Sequence, residues 1–326
     1  MRHFDYARPS QTDQAVATHA DRPSAYLGGG TNLLDMMKID IMRPEQVVDI
    51  NGLGLDQIER LSDGRLRIGA RVSNTALAYD DRVQQDYKVL SEALLSGASR
   101  QLRNKATTAG NVMQRVRCPY FRDGYSPCNK REPGSGCAAI GGHNRSVHAV
   151  LGTSEHCIAT HPSDMCVAMA AIGATVTVEG PGGPREIDFL EFHLLPGDTP
   201  HEEHALKEDE LITHVTLDAP ISGNRSGYLK LRDRSSYQFA LASSAVIVAT
   251  DGGTVRDARI ALGGVGTKPW RAKEAERALI GQNVSESAFA KAAEIIFRDA
   301  QPYEHNAFKI PLGQQAVIRN LSTLTA

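Results

Sequence analysis

The stretch Ala25–Lys38, AYLGGGTNLLDMMK, decides how the chain is read. It passes from a short apolar run through three consecutive glycines into a second apolar segment, so it reads as strand, tight turn and helix. Successive glycines let main-chain N–H groups converge on one point, as phosphate oxygens require. A plain strand-to-helix turn has the same composition. The loop is not a dinucleotide G-x-G-x-x-G, because Leu33 stands where the last glycine belongs, and no Lys-Ser/Thr pair follows to make a P-loop.

Outward from this loop, EQVVDI (45–50) and RLRIGA (65–70) read as strands, and YKVLSEALLSGASRQLRN (87–104) has helical spacing that ends near Gly97. KATTAGN (105–111) reads as a polar turn. Some forty residues rich in Gly, Pro, Asn and His follow, with no helix or strand of their own, before SDMCVAMAAIGA (163–174) resumes as a helix and TVTVEG (175–180) as a strand. A structureless segment of that length is functional or disordered, and a bound inorganic centre is one way to order it. Residues 181–210 read as a turn-rich connector, and LITHVTLDAP (211–220) with GYLKLRDR (227–234) as the opening of a further unit. SSAVIVAT (243–250) and ARIALGGVG (258–266) read as strands, and KEAERALIG (273–281) and AFAKAAEIIFRDA (288–300) as helices of an α+β C-terminal domain.

At 326 residues the chain has room for two or three packed units, and its formal net charge of -2 comes with no basic face for nucleic acid. The N-terminus MRHFDYARPSQTDQAV lacks the apolar core of a secretory signal, and no apolar run is long enough for membrane insertion. On its own residues the chain is expected to be soluble and unexported.

Four of the five cysteines, Cys118, Cys128, Cys137 and Cys157, lie in the irregular segment, separated by nine, eight and nineteen residues. An odd, clustered count fits a disulfide framework poorly. No pair forms the C-x-x-C knuckle of most structural zinc sites, and long glycine-rich intervals suit a [4Fe-4S] cube, whose ligands converge from several sides. Lys130 and Arg131 beside these cysteines would offset a cluster's negative charge. His143, His148, His156 and His161 keep a mixed Cys/His zinc site open, and spacing alone also leaves room for no metal at all. Cys166, inside the apolar helix, reads as a small buried residue.

The glycine loop is followed in order by TTAGN (107–111), ATHPSDM (159–165), KLRDRSSYQFALAS (230–243) and GGVGTKPWR (263–271). With these motifs the whole chain resembles the FAD-binding subunits of the molybdenum hydroxylases, the xanthine dehydrogenase and carbon monoxide dehydrogenase flavoprotein family. The segment 107–139 with CIATHPSDM (157–165) most resembles the bacterial periplasmic aldehyde oxidoreductase branch, which, like the benzoyl-coenzyme A type reductases, carries an extra [4Fe-4S] cluster.

The resemblance implies an α+β, vanillyl-alcohol-oxidase-like (PCMH-type) fold of two FAD-binding subdomains, 1–55 and 56–220, with an iron–sulfur insertion at about 115–160 and a C-terminal α+β domain, 221–326. It implies that FAD is held by Leu27, Gly28, Gly29 and Gly30, then by Thr31, Asn32, Leu33 and Leu34. Thr107, Thr108, Gly110 and Asn111 would line the flavin and phosphate region, Asp164 would reach the adenosine end, and Ile212 and Lys230 would lie along the cofactor. Asp164 has a rival use as a helix cap, and Lys230 as a solvated strand residue. Cys118, Cys128, Cys137 and Cys157 would ligate the [4Fe-4S] cluster. The implied role is electron transfer beside a large molybdenum-cofactor subunit and a small [2Fe-2S] subunit that carries the export signal, which places the assembly in the periplasm, with the cytoplasm as the alternative. No general base or nucleophile is expected. A free-standing flavin oxidoreductase and a structural zinc module remain the competing readings, as do the xanthine dehydrogenase and benzoyl-coenzyme A reductase branches.

Overall fold

The computed structural model describes residues 1–326. A small parallel sheet opens the chain, in the order β1 (Asp5–Ala7), β3 (Gln46–Asp49), β2 (Ser24–Leu27). Parallel neighbours need crossovers, and the helices Thr12–Ala20 and Leu33–Lys38 supply them. The glycine loop lies between the end of β2 and the second of these helices, as its sequence implies.

A five-stranded antiparallel sheet follows. Its strands are β4 (Ile58–Arg60), β5 (Leu66–Gly69), β6 (Ala174–Gly180), β7 (Gly183–Asp188) and β8 (Leu211–Leu217), ordered β4-β5-β8-β6-β7. Two expectations are corrected by it. Residues 183–188 of the supposed connector pair along β6 as a hairpin. LITHVTLDAP does not open a new unit, because β8 is inserted between β5 and β6 in this sheet. Its burial on both faces, which makes it read like the start of a fresh core, is what a central strand requires.

The third sheet, β12 (Trp270–Arg271), β11 (Thr254–Gly263), β10 (Ala242–Asp251) and β9 (Arg225–Leu231), is antiparallel and is backed by the helices Lys273–Leu279, Glu286–Phe297 and Lys309–Thr325. Strand β10 is a wall with two dry faces. Ala242, Val246 and Val248 face the C-terminal core, while Ala245 and Ile247 join the large core under the first two sheets. The period of two along an unbroken apolar run produces this division.

The irregular segment has one short helix, Pro119–Arg122, and a small core of its own containing Cys118, Phe121, Cys128, Cys157 and Ile158. Met36, from the helix after the glycine loop, belongs to the same core. The segment is clamped from behind by Lys309, a fully buried lysine whose ammonium donates to the carbonyl of Ser146 at 2.8 Å and to that of Gly264. No helix is long and apolar enough to cross a membrane.

Candidate cofactor sites

Why the glycine loop must be glycine is a matter of backbone approach. A Cβ on Gly29 would stand 1.8 Å from the carbonyl oxygen of Lys105, and one on Gly28 would stand 2.9 Å from Thr107 Oγ1. Gly30 takes a left-handed φ of 71°. The loop is thus pressed against residues 105–107, which brings two of the sequence motifs together. The main-chain N–H groups of Gly29, Gly30, Thr31 and Asn32 find no acceptor within the protein. Asn32 Oδ1 accepts from the Arg115 N–H at 3.0 Å, while its Nδ2 is buried and unpartnered. A row of unspent N–H donors beside an orphaned amide fits an anionic oxygen ligand such as a pyrophosphate.

TTAGN is not the turn its composition implies. Thr107 caps a helix, Thr108–Val112, by accepting from the Gly110 N–H at 3.2 Å. A threonine three residues ahead of the bonded N–H was the readable signal, masked by the glycine that follows. Asn111 Oδ1 accepts from Ser163 Oγ at 2.8 Å, which ties this helix to the ATHPSDM motif.

Ser163, not Asp164, caps the helix Asp164–Ile172, accepting from the Cys166 N–H at 3.1 Å. The Asp164 carboxylate instead accepts from Tyr228 Oη and from Lys230 Nζ, each at 2.7 Å. Lys230 is not a solvated strand residue: the side chains of the pair are 3% and 9% exposed. Removing one partner of such a pair leaves an uncompensated buried charge, which costs about 3–5 kcal/mol. Lys230→Met is expected to lower unfolding stability by about 3 kcal/mol, the low end because Tyr228 still donates to Asp164. Urea denaturation measures it, and a loss below about 0.5 kcal/mol, the usual surface scatter, would contradict the assignment.

Asp164 also lines a cavity with Arg117, His161, Phe239, Ser243 and Gly264, so residues from three of the five motifs meet there. Arg117 lies over the Phe239 ring at 5.1 Å, and burial lowers its pKa to about 10. Phe239 lies in the KLRDRSSYQFALAS motif and Arg117 in the cysteine segment, but neither had been named as a site residue. Ile212 lies in β8 with its side chain in the large core. Leu27 ends β2, and Leu33 and Leu34 begin the next helix.

The four insertion cysteines line a second cavity. Every one is a free thiol. Cys128 and Cys137 face each other across a two-residue bridge, held by Asn129, whose N–H donates to the Gly136 carbonyl at 2.7 Å and whose Oδ1 accepts the Gly136 N–H at 2.8 Å. Burial pushes the Cys118 thiol up to about 12 and Cys157 to about 11. Yet main-chain N–H groups approach these sulfurs: those of Phe121 and Tyr120 at Cys118, of Arg131 and Lys130 at Cys128, and of Ala159 at Cys157. Donors aimed at buried sulfur suit a thiolate held by a cationic centre.

The only group of three Cys, His or acidic donors whose atoms all lie within 4.8 Å of one another is His161, Cys166 and His193, so no three insertion thiols are that close. Four thiols lining one cavity are a donor set that a cluster with four separate corners could use. Of the expected neighbouring cations, Arg131 is spent on the carbonyls of Tyr120 and Phe121 at 2.7 and 2.9 Å, and Lys130 reaches the Pro200 carbonyl at 2.8 Å. His156 and His143 sit at the surface of the loop, near Asp198 and His305 respectively.

The His161, Cys166 and His193 group has an account without metal. The Ser163 N–H approaches His161 Nδ1 at 3.4 Å, leaving its Nε2 protonated, and His193 Nε2 donates to the Val112 carbonyl at 3.0 Å, leaving Nδ1 as an acceptor. The two unpartnered nitrogens are therefore a donor and an acceptor on rings 4.4 Å apart. Cys166 is fully buried, with its thiol pushed up to about 12 by burial.

A family model for the FAD binding domain in molybdopterin dehydrogenase matches residues 2–220, and one for the CO dehydrogenase flavoprotein C-terminal domain matches residues 227–322. The chain is 50% identical to the aldehyde oxidoreductase FAD-binding subunit PaoB of Escherichia coli, across 100% of this chain and 99% of that one. It is 26% identical to the carbon monoxide dehydrogenase medium chain of Afipia carboxidovorans, across 90% and 85% of the two chains. Among solved structures it superposes on a chain of the carbon monoxide dehydrogenase from Hydrogenophaga pseudoflava with a TM-score of 0.78 at 26% identity, covering 99% of this chain and 97% of that one. The mixed α/β fold is thus that of the carbon monoxide dehydrogenase medium chain.

Proposed function

This chain belongs to the FAD-binding subunits of the molybdenum hydroxylases, an oxidoreductase family, and from that premise we propose that it is the electron-transfer subunit of an aldehyde oxidoreductase, with a [4Fe-4S] cluster beside its FAD. The observation that carries the reading is the pairing of two cavities on neighbouring stretches of chain. Arg117 lines the first and Cys118 the second, and the segment from Cys157 to Asp164 runs between them.

FAD, when bound, supplies an electron store that accepts and releases electrons one or two at a time. The chain's own residues would hold and enclose it. Gly29, Gly30, Thr31 and Asn32 offer their free N–H groups to the pyrophosphate; Thr107 and Asn111 fix the facing loop; and the Asp164–Lys230 pair holds the cavity wall where the C-terminal sheet meets the FAD domain. Thr108, Gly110 and the leucines of the glycine loop would complete the lining, with Ile212 beneath it. Cys118, Cys128, Cys137 and Cys157 would hold the cluster, whose chemistry is one-electron storage.

The PCMH-type division into subdomains 1–55 and 56–220, the insertion at about 115–160 and the C-terminal domain from 221 belong to the same reading. So do a large molybdenum-cofactor partner, a small [2Fe-2S] partner and a periplasmic location reached by export with a signal-bearing partner. The role of the PaoB relative as an aldehyde oxidoreductase subunit supports the aldehyde assignment.

In this reading the thiols of the second cavity are taken up by the cluster and Asp164 of the first is paired with Lys230, so neither cavity is left with an acid–base pair or nucleophile for aldehyde chemistry. The isolated flavoprotein is accordingly expected not to oxidise aldehydes. Mixing it anaerobically with aromatic and aliphatic aldehydes should leave the flavin absorbance unchanged until partner subunits are added. Bleaching at a catalytic rate by the lone chain would overturn the relay reading in favour of a free-standing oxidoreductase.

A further inference from the structure

We infer that His148 is a positioning residue for the cysteine site: its ring donates a hydrogen bond to the Cys118 sulfur and thereby raises the reduction potential of the cluster that sulfur ligates. The inference rests on the [4Fe-4S] reading above and adds a side chain to it.

The tautomer follows from the partners. The Arg145 main-chain N–H donates to His148 Nδ1 at 3.0 Å, so Nδ1 carries the lone pair and the proton resides on Nε2. Nε2 lies 3.3 Å from Cys118 Sγ. The imidazole is therefore a neutral donor aimed at sulfur, not a zinc ligand, which would need its Nε2 lone pair free.

The ring is held in place by its main chain. His148 bridges to Ala159, its N–H donates to the Arg145 carbonyl, and Asn306 Nδ2 donates to the carbonyls of His148 and Ala149 at 3.4 and 3.0 Å. Only 2% of the residue is exposed, so water does not compete for the sulfur. This hydrogen bond to the insertion cysteine sulfurs comes from a side chain, so it can be removed without altering the backbone.

A reduced cluster carries one more negative charge than an oxidised one, and N–H donors at sulfur stabilise the more negative state. Loss of the donor should therefore make the cluster harder to reduce.

The experiment is an EPR-monitored redox titration of the purified complex, with iron and acid-labile sulfide measured on the same samples. His148→Phe is expected to keep its iron and shift the four-iron signal to a more negative potential, on the order of tenfold in the oxidised-to-reduced equilibrium, or about 59 mV for one electron. His148→Gln, which keeps an N–H donor, should return toward the parent value. A His148→Phe potential equal to the parent's, with full iron, overturns the inference.

If His148→Phe loses its iron, the decision passes to the unsubstituted complex labelled with 15N-histidine. Pulsed EPR of its reduced four-iron signal should show a histidine nitrogen coupling, and absence of that coupling overturns the inference. An unsubstituted complex without four-iron content would instead overturn the cluster reading, which the iron and sulfide assay detects separately.

Discussion

Gly29→Val is expected to yield a chain almost free of flavin and substantially less stable. The new Cβ would stand 1.8 Å from the Lys105 carbonyl oxygen and 2.6 Å from its carbon, and both are main-chain atoms that cannot rotate away. Residues 105–107 must then separate from the glycine loop, which breaks the Gly28–Thr107 contact and displaces the unspent N–H groups of Gly29–Asn32. Overpacking of this kind costs about 3 kcal/mol or more when the backbone has to yield. The bound flavin-to-protein ratio should fall more than about tenfold, each decade corresponding to about 1.4 kcal/mol of binding. Gly54→Val is the control, since a Cβ there meets nothing within 4 Å. Full FAD occupancy in Gly29→Val would remove the glycine loop from the site.

The second large effect is on iron. Cys157→Ser, or serine at Cys118, Cys128 or Cys137, should reduce iron and sulfide from about four each per chain toward none, or convert the cluster, because a hard alkoxide replaces a soft thiolate. Cys157 is 6% exposed and sits in the small insertion core, so loss of its ligand bond should also loosen the loop. Cys166→Ser should leave iron and sulfide unchanged, since Cys166 is at 0% exposure in the large core, away from the cysteine cavity. Iron retained on Cys157→Ser and lost on Cys166→Ser would reverse the ligand assignment.

Much of the fold was legible wherever a local pattern and its burial agree. The strand, turn and helix around Gly28–Gly30 and the unbroken apolar run of β10 both read correctly because period and composition point the same way. The misreadings fall where tertiary context decides. Strand β7 is half exposed and rich in Gly, Pro and charge, so it looks like a loop until β6 pairs with it. The two flanking helices Thr12–Ala20 and Lys309–Thr325 carried no sequence assignment; the second has Pro311 and Gly313 in its first turns, both poor helix residues, and packing against β10 and Phe297 overrides them.

The site was legible as a set of residue types and much less as a set of roles. The cysteines stood out by number and spacing, and His148 stood beside them as one of four histidines with equal claims. Only the Arg145 N–H, three residues away and invisible to pattern reading, determines which ring nitrogen faces sulfur. Likewise, Ser163 and Asp164 are equally good caps in sequence. What separates them is the approach of Lys230 and Tyr228 from a strand more than sixty residues downstream.

The helix Leu33–Lys38 belongs to both candidate cofactor sites. Its leading end is the glycine loop with Asn32, and its inner face contributes Met36 to the cysteine core, while Asp35 accepts from Arg122 of the insertion at 3.0 Å. A single short element thus joins the cysteine core to the cradle, so a change that slackens the cysteine pocket should be felt at the cradle as well. If the cluster is present as proposed, flavin occupancy and iron occupancy are for that reason not independent gauges of a preparation. On the proposed reading, a sample short of iron should also show a weakened flavin site, and the two assays are best read together.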